Sequence, residues 1–198
     1  MKRLFFNSAA LAGIFVLIPE ISEAHVFGAY GAGLSEGLMH PFGGLDHVLA
    51  MLAIGLWAAQ SGGRSLWSIP LAFVGMMTMG ALAGMAGISI PFANVGVATS
   101  VIVLGALVAL SAKWPAPVGA LLAGFFAIFH GHSHGAEMSQ AASVVSYGIG
   151  FVLATSLLHG AGIVASLGLS SYEYFSARLL RISGGAIAVY GLMILVGL

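Results

Sequence analysis

The sequence predicts an all-α membrane protein, a bundle of about six transmembrane helices behind a cleaved signal peptide. Three observations carry that prediction. Of 198 residues, 60% are hydrophobic and 6% charged, where soluble domains run near 25% charged. Mean hydropathy is +1.06. From residue 34 onward, apolar runs of roughly 20 residues, the length that crosses a bilayer, alternate with short turn-forming clusters.

The same numbers exclude several function classes. High apolarity at zero net charge is incompatible with a disordered chain and with the basic face of a nucleic-acid binder. The chain has no cysteine, so disulfide frameworks, thiolate metal sites and cysteine nucleophiles are absent. Histidine, with seven copies, outnumbers each charged residue type.

Residues 1–24 read as a signal peptide. Lys2 and Arg3 precede a short apolar core, Leu11 to Ile18, which Pro19 and Glu20 interrupt; Ser22 and Ala24 are small residues at the −3 and −1 positions of a cleavage site. An uncleaved first helix is the alternative. Cleavage leaves a mature domain of residues 25–198 that begins at His25, which either helps a terminal amine capture a metal or is simply exposed. Spans follow at about 34–60, 67–88, 93–112, 116–137, 141–167 and 178–197. The breaks hold Ser61-Gly62-Gly63-Arg64, Ser89-Ile90-Pro91, Lys113-Trp114-Pro115 and Ser170-Ser171-Tyr172-Glu173. Gly80-x-x-x-Gly84, Ala120-x-x-x-Gly124 and Gly184-Gly185 supply small residues for close helix contact.

Charge orients the bundle. With the mature terminus outside, Arg64, Lys113, Arg178 and Arg181 all fall on cytoplasmic connections, and the external connections carry no Lys or Arg. This satisfies the positive-inside rule and puts both mature termini on the extracytoplasmic side of the plasma membrane. No nucleotide-binding motif is present, so this chain alone does not drive transport with ATP.

Ionisable groups inside spans cost about 2.5–3.5 kcal/mol each on insertion scales, which makes them functional candidates. One cluster, Glu36 to His47, contains Glu36, His40, Asp46 and His47; the other, His130 to Glu137, contains His130, His132, His134 and Glu137. They occupy the outer ends of oppositely directed spans, hence one membrane depth. At about 100° per residue, His130, His134 and Glu137 share a narrow stripe and His132 points away, as a bystander or a group behind the ligands. His40 and His47 share a face of a regular helix. Asp46 does not, so either Pro41, Gly43 and Gly44 distort the backbone enough to bring it in, or it orients an imidazole through the N–H turned away from the metal. Imidazole and carboxylate without thiolate suit Ni²⁺, Co²⁺ or Zn²⁺ better than Cu⁺. His159 lies deeper, as a relay on an inward path or a structural hydrogen-bonding group. Met39, Met51, Met76, Met77 and Met79 read as packing.

At these clusters the chain resembles the HupE/UreJ family of nickel and cobalt permeases, small membrane proteins associated with hydrogenase or urease maturation. The family motif His-Pro-x-x-Gly-x-Asp-His matches His40 to His47 at every fixed position, and Phe-x-x-x-His-Gly-x-x-His-Gly-x-Glu matches Phe126 to Glu137. Ser133 stands where the family often has alanine, a change that leaves the ligand set intact. The resemblance covers the whole chain and includes a signal peptide and about six spans. It implies uptake of Ni²⁺ or Co²⁺ as substrate, with no catalytic cofactor, through His40, Asp46, His47, His130, His134 and Glu137. It also implies hydrogenase or urease maturation proteins as partners.

Competing classes are an intramembrane enzyme and a bis-histidine haem carrier. Ser133 and His159 could suggest a serine protease, yet no Gly-x-Ser-Gly turn surrounds Ser133, and the His-Glu-x-x-His of a zinc protease is absent. A haem carrier would use His47 and His134.

Overall fold

A computed structural model describes residues 29–138, 143–170 and 175–198. The expected signal peptide, its cleavage site and His25 lie outside the described residues. So does most of the last connection. Every regular element among the described residues is helical: α1 (Ala29–Met39), α2 (Leu45–Ser61), α3 (Ser65–Met85), α4 (Ala93–Ala109), α5 (Ala116–Glu137), α6 (Val144–Ser170) and α7 (Phe175–Leu195).

Helices α3, α5, α6 and α7 are each long and apolar enough to cross a membrane. The expected first span is not one continuous helix. The chain passes through a 3₁₀ turn at His40–Gly43 and bends by 85° before α2, and the two halves together are long and apolar enough to cross a membrane. Pro41 cannot donate its backbone nitrogen, and Gly44 is extended at φ −127°, ψ 124°, so the α-helical ladder stops there. The expected third span is shorter than read from sequence, because α4 covers 17 residues and ends at Ala109. Ser111 then takes a left-handed φ of 50° in the connection to α5.

Large apolar side chains point outward from the bundle, among them Trp67, Leu71, Leu121, Leu157 and Val164. In water such a surface would drive aggregation; in lipid it is the ordinary exterior, and helices suit it because they satisfy their own backbone polar groups. Without a hydrophobic drive between spans, contact depends on close backbone approach. Glycines on both partners provide it. Helices α3 and α5 run in the same direction, with Gly80 and Gly84 set against the carbonyls of Ile128 and His132, and Gly131 and Gly135 against those of Met77 and Ala81. A β-carbon at any of these four would collide with the facing backbone. Gly105 of α4 and Gly184 of α7 make a reciprocal contact, as do Gly55 of α2 and Gly162 of α6. Gly80, Gly84 and Gly184 thus serve the packing expected of them, whereas a β-carbon at Gly185 would meet nothing within 4 Å.

Helix directions put the α2 N-terminus, the α5 C-terminus and the first turns of α6 at one end of the bundle. Arg64, Lys113 and the start of α7 share the other. Trp57 closes that far end, donating its indole N–H to the Ala112 carbonyl at 2.8 Å.

Candidate metal site

The glycines beside the histidines explain the spacing of the second cluster. In His130-Gly131 and His134-Gly135, each glycine presses α5 onto α3, and the preceding residue is rotated about 100° toward the bundle interior. His130 and His134 are accordingly buried at 0% and 3% exposure. Glu137, one turn further along, reaches the rim with its side chain 69% exposed.

The first cluster meets them from two elements. His40 comes from the 3₁₀ turn and His47 from the first turn of α2. Their proximity therefore does not arise from one face of a continuous helix, as regular helical spacing predicts; the 85° bend aims both rings at α5. His134 is the hub, with ring centroids 4.7 Å from His40 and 4.1 Å from His47. His47 also lies 4.8 Å from His130, and His40 Nε2 is 3.4 Å from Glu137 Oε2.

Hydrogen bonds set the tautomers of two of these rings. Asp46 Oδ1 lies 2.8 Å from His47 Nδ1 and accepts the His47 backbone N–H at 2.9 Å. A carboxylate only accepts, so Nδ1 carries the proton and Nε2 presents its lone pair. Of the two roles open to Asp46 in the sequence, the geometry matches the orienting one. On α5, His130 is fixed from α4: Ser100 donates its hydroxyl proton to the Val97 carbonyl at 2.6 Å and sits 2.6 Å from His130 Nε2. With that proton already placed, the serine oxygen accepts from Nε2–H, which leaves His130 Nδ1 as the lone pair.

Four ring nitrogens result that are buried and without a hydrogen-bond partner: His47 Nε2, His130 Nδ1, and Nδ1 and Nε2 of His134. Buried polar atoms are nearly always paired, so several orphans in one contact group make this the candidate cation site. The rings meet edge to face or tilted, and among the described residues no group of three or more His, Asp or Glu side chains is placed to hold a metal ion as it stands. A cavity of about 520 Å³ opens beside them, lined by Glu36, His40, Asp46, His47, His134 and Glu137 among others.

The remaining candidates separate cleanly. His132 points away, with Nε2 2.8 Å from the Ile88 carbonyl, as its helical angle requires. His159 sits deeper, 2% exposed with both nitrogens unpartnered. Ser100 and Tyr147 were not legible as site residues. Tyr147 is fully buried, its ring 5.6 Å from His40, and its hydroxyl donates to the His134 carbonyl at 3.4 Å. A lone serine or tyrosine in an apolar span has no sequence signature that separates it from packing.

Comparison with known proteins identifies the family. A family model described as HupE / UreJ protein matches residues 13–194. Protein HupE of Rhizobium leguminosarum bv. viciae is 43% identical over 198 residues, covering 99% of this chain and 98% of the relative. No solved structure matches. A match along nearly the full length, through both histidine clusters, places the chain in the HupE/UreJ family.

Proposed function

We propose that the protein is an uptake permease for Ni²⁺ or Co²⁺ in the plasma membrane. In this reading it is a transporter rather than an enzyme, with six spans behind a signal peptide cleaved after Ala24 and both mature termini outside. The observation that carries the proposal is the group of unpartnered nitrogens on His47, His130 and His134 beside an open cavity. Glu36, His40 and Glu137 line its mouth, where carboxylates attract a hydrated cation and begin to replace its water. His40, His47, His130 and His134 then supply neutral imidazoles, with Asp46 holding His47 in the binding tautomer. Arg64 and Lys113 at the far end of the bundle support the orientation.

Transport needs no hydrolysis in this scheme. A membrane potential favours inward movement by about 2.3 kcal/mol per charge per 100 mV, hence about 4.6 kcal/mol for a divalent ion. Hydrogenase or urease maturation proteins are the proposed recipients.

The test is uptake of radiolabelled nickel and cobalt by cells expressing the protein, compared with His40→Ala and His134→Ala. Uptake should fall to background in both. Undiminished uptake in both would remove the site assignment. A carboxy-terminal fluorescent fusion should stay dark if that terminus is exported, and a bright fusion would reverse the topology.

A further inference from the structure

Below the outer cluster, α3 and α6 bring together a second set of buried groups. His159 is 2% exposed, and neither ring nitrogen has a hydrogen-bond partner. Histidines kept for structure in an apolar interior normally spend at least one ring nitrogen on a hydrogen bond. One helical turn toward the outer site, on the same face of α6, is Thr155. It is fully buried and donates its hydroxyl proton to Met77 Sδ at 3.7 Å, so its oxygen lone pairs stay free. Met77 is fully buried on α3, one turn from Phe73. The Phe73 ring touches both levels, with centroids 5.8 Å from His130 and 5.2 Å from His159.

These groups continue an i, i+4 row on α6. Tyr147 and Phe151 face the outer cluster, then come Thr155 and His159. From Tyr147 to His159 the row descends about 18 Å at 1.5 Å per residue. On the far side, Gly55 of α2 packs so closely that a β-carbon there would strike the His159 carbonyl, so the backbone around this histidine is held in place.

We propose that His159, with Thr155 Oγ1 and Met77 Sδ, is a second and deeper cation station, separated from the outer cluster by the Phe73 ring. The inference rests on the reading of the protein as an inward permease. Its substrate is a borderline divalent cation such as Ni²⁺ or Co²⁺, for which imidazole is a suitable ligand. The station contains no carboxylate and fewer imidazoles than the outer cluster, so it holds the ion more weakly. A conducting path requires that, because each site must bind well enough to admit an ion and loosely enough to release it. Phe73 blocks free passage of hydrated ions and makes transfer stepwise.

The two levels predict different responses. Equilibrium Ni²⁺ binding to the purified full-length protein and initial Ni²⁺ uptake by cells are measured side by side for His159→Gln, Thr155→Val and His134→Ala. His159→Gln should keep the binding constant within twofold and lose at least tenfold in uptake rate. Thr155→Val, close in shape, should keep binding and lose roughly threefold or more in uptake. Uptake within twofold of the parent in His159→Gln overturns the station. Loss of binding together with uptake in both α6 variants also overturns it, since His159 and Thr155 would then be props for the outer cluster. His134→Ala reports separately on the outer site: retention of both binding and uptake there removes the permease site, whatever His159→Gln shows.

Discussion

Ser100 of α4 and His130 of α5 are 2.6 Å apart, and the serine proton is already committed to the Val97 carbonyl. The bond therefore runs from His130 Nε2–H to the serine oxygen. It fixes which nitrogen of His130 can bind a cation, and it ties the site to a helix that contributes none of the proposed ligands.

Replacing Ser100 by alanine should free the His130 ring to take either tautomer and leave a buried N–H without a partner. We expect Ni²⁺ affinity to fall about tenfold, the lower end of the range seen when a hydrogen-bond partner behind a metal ligand is lost. Isothermal titration of the purified protein measures it. Unchanged affinity would show that the His130 tautomer does not matter to binding.

Asp46→Asn tests the equivalent bond on His47. An amide can still accept from Nδ1, but it lacks the charge that strengthens the bond, and flipping the amide presents a donor instead. Affinity should drop about 10- to 100-fold with helix content by circular dichroism unchanged. If Asn binds as well as Asp, the carboxylate is dispensable and Asp46 is only a first-turn helix residue.

His132 gives the opposite expectation. Its Nε2 is engaged with the Ile88 carbonyl away from the cluster, so His132→Ala should leave nickel uptake within twofold. A loss as deep as that of His134→Ala would mean the stripe on α5 has been assigned to the wrong histidines.

Glycine substitutions separate packing from mere composition. At Gly131 an added β-carbon meets the Met77 carbonyl, a rigid backbone neighbour. Gly131→Ala should therefore destabilise by about 1–3 kcal/mol and weaken metal binding by pushing α5 and its histidines off α3. At Gly185 there is open space, and alanine should be neutral or stabilise by about 0.5–1 kcal/mol, since glycine weakens a helix interior. Thermal unfolding in detergent compares the two. Equal effects would contradict the close α3–α5 contact.

Much of the site was legible because helical periodicity is a local rule. His130, His134 and Glu137 fall on one face and His132 on another from the 3.6-residue repeat alone, and the structure places them that way. The first cluster was legible in membership but not in mechanism. Angles on a straight helix bring His40 and His47 together for the wrong reason, because the bend at Pro41 to Gly44 joins two elements at 85°. The ambiguity over Asp46 had the same source, since its direction depends on a backbone that is not regular at that point.

Residue order alone dictates a chain that is helical, apolar enough for lipid, and marked by two histidine clusters that identify its family. Those properties follow from composition, spacing and motif, which each stretch of chain carries without reference to any other. The pairing of α3 with α5 and of α6 with α2 emerges only in the folded bundle, and with it the placement of Ser100, Tyr147 and Phe73 beside the histidines. Nearly uniform apolar helices carry little information about which partner they will choose. That choice depends on where glycines on two distant segments let their backbones meet, and it sets which lone pairs are left facing the cavity.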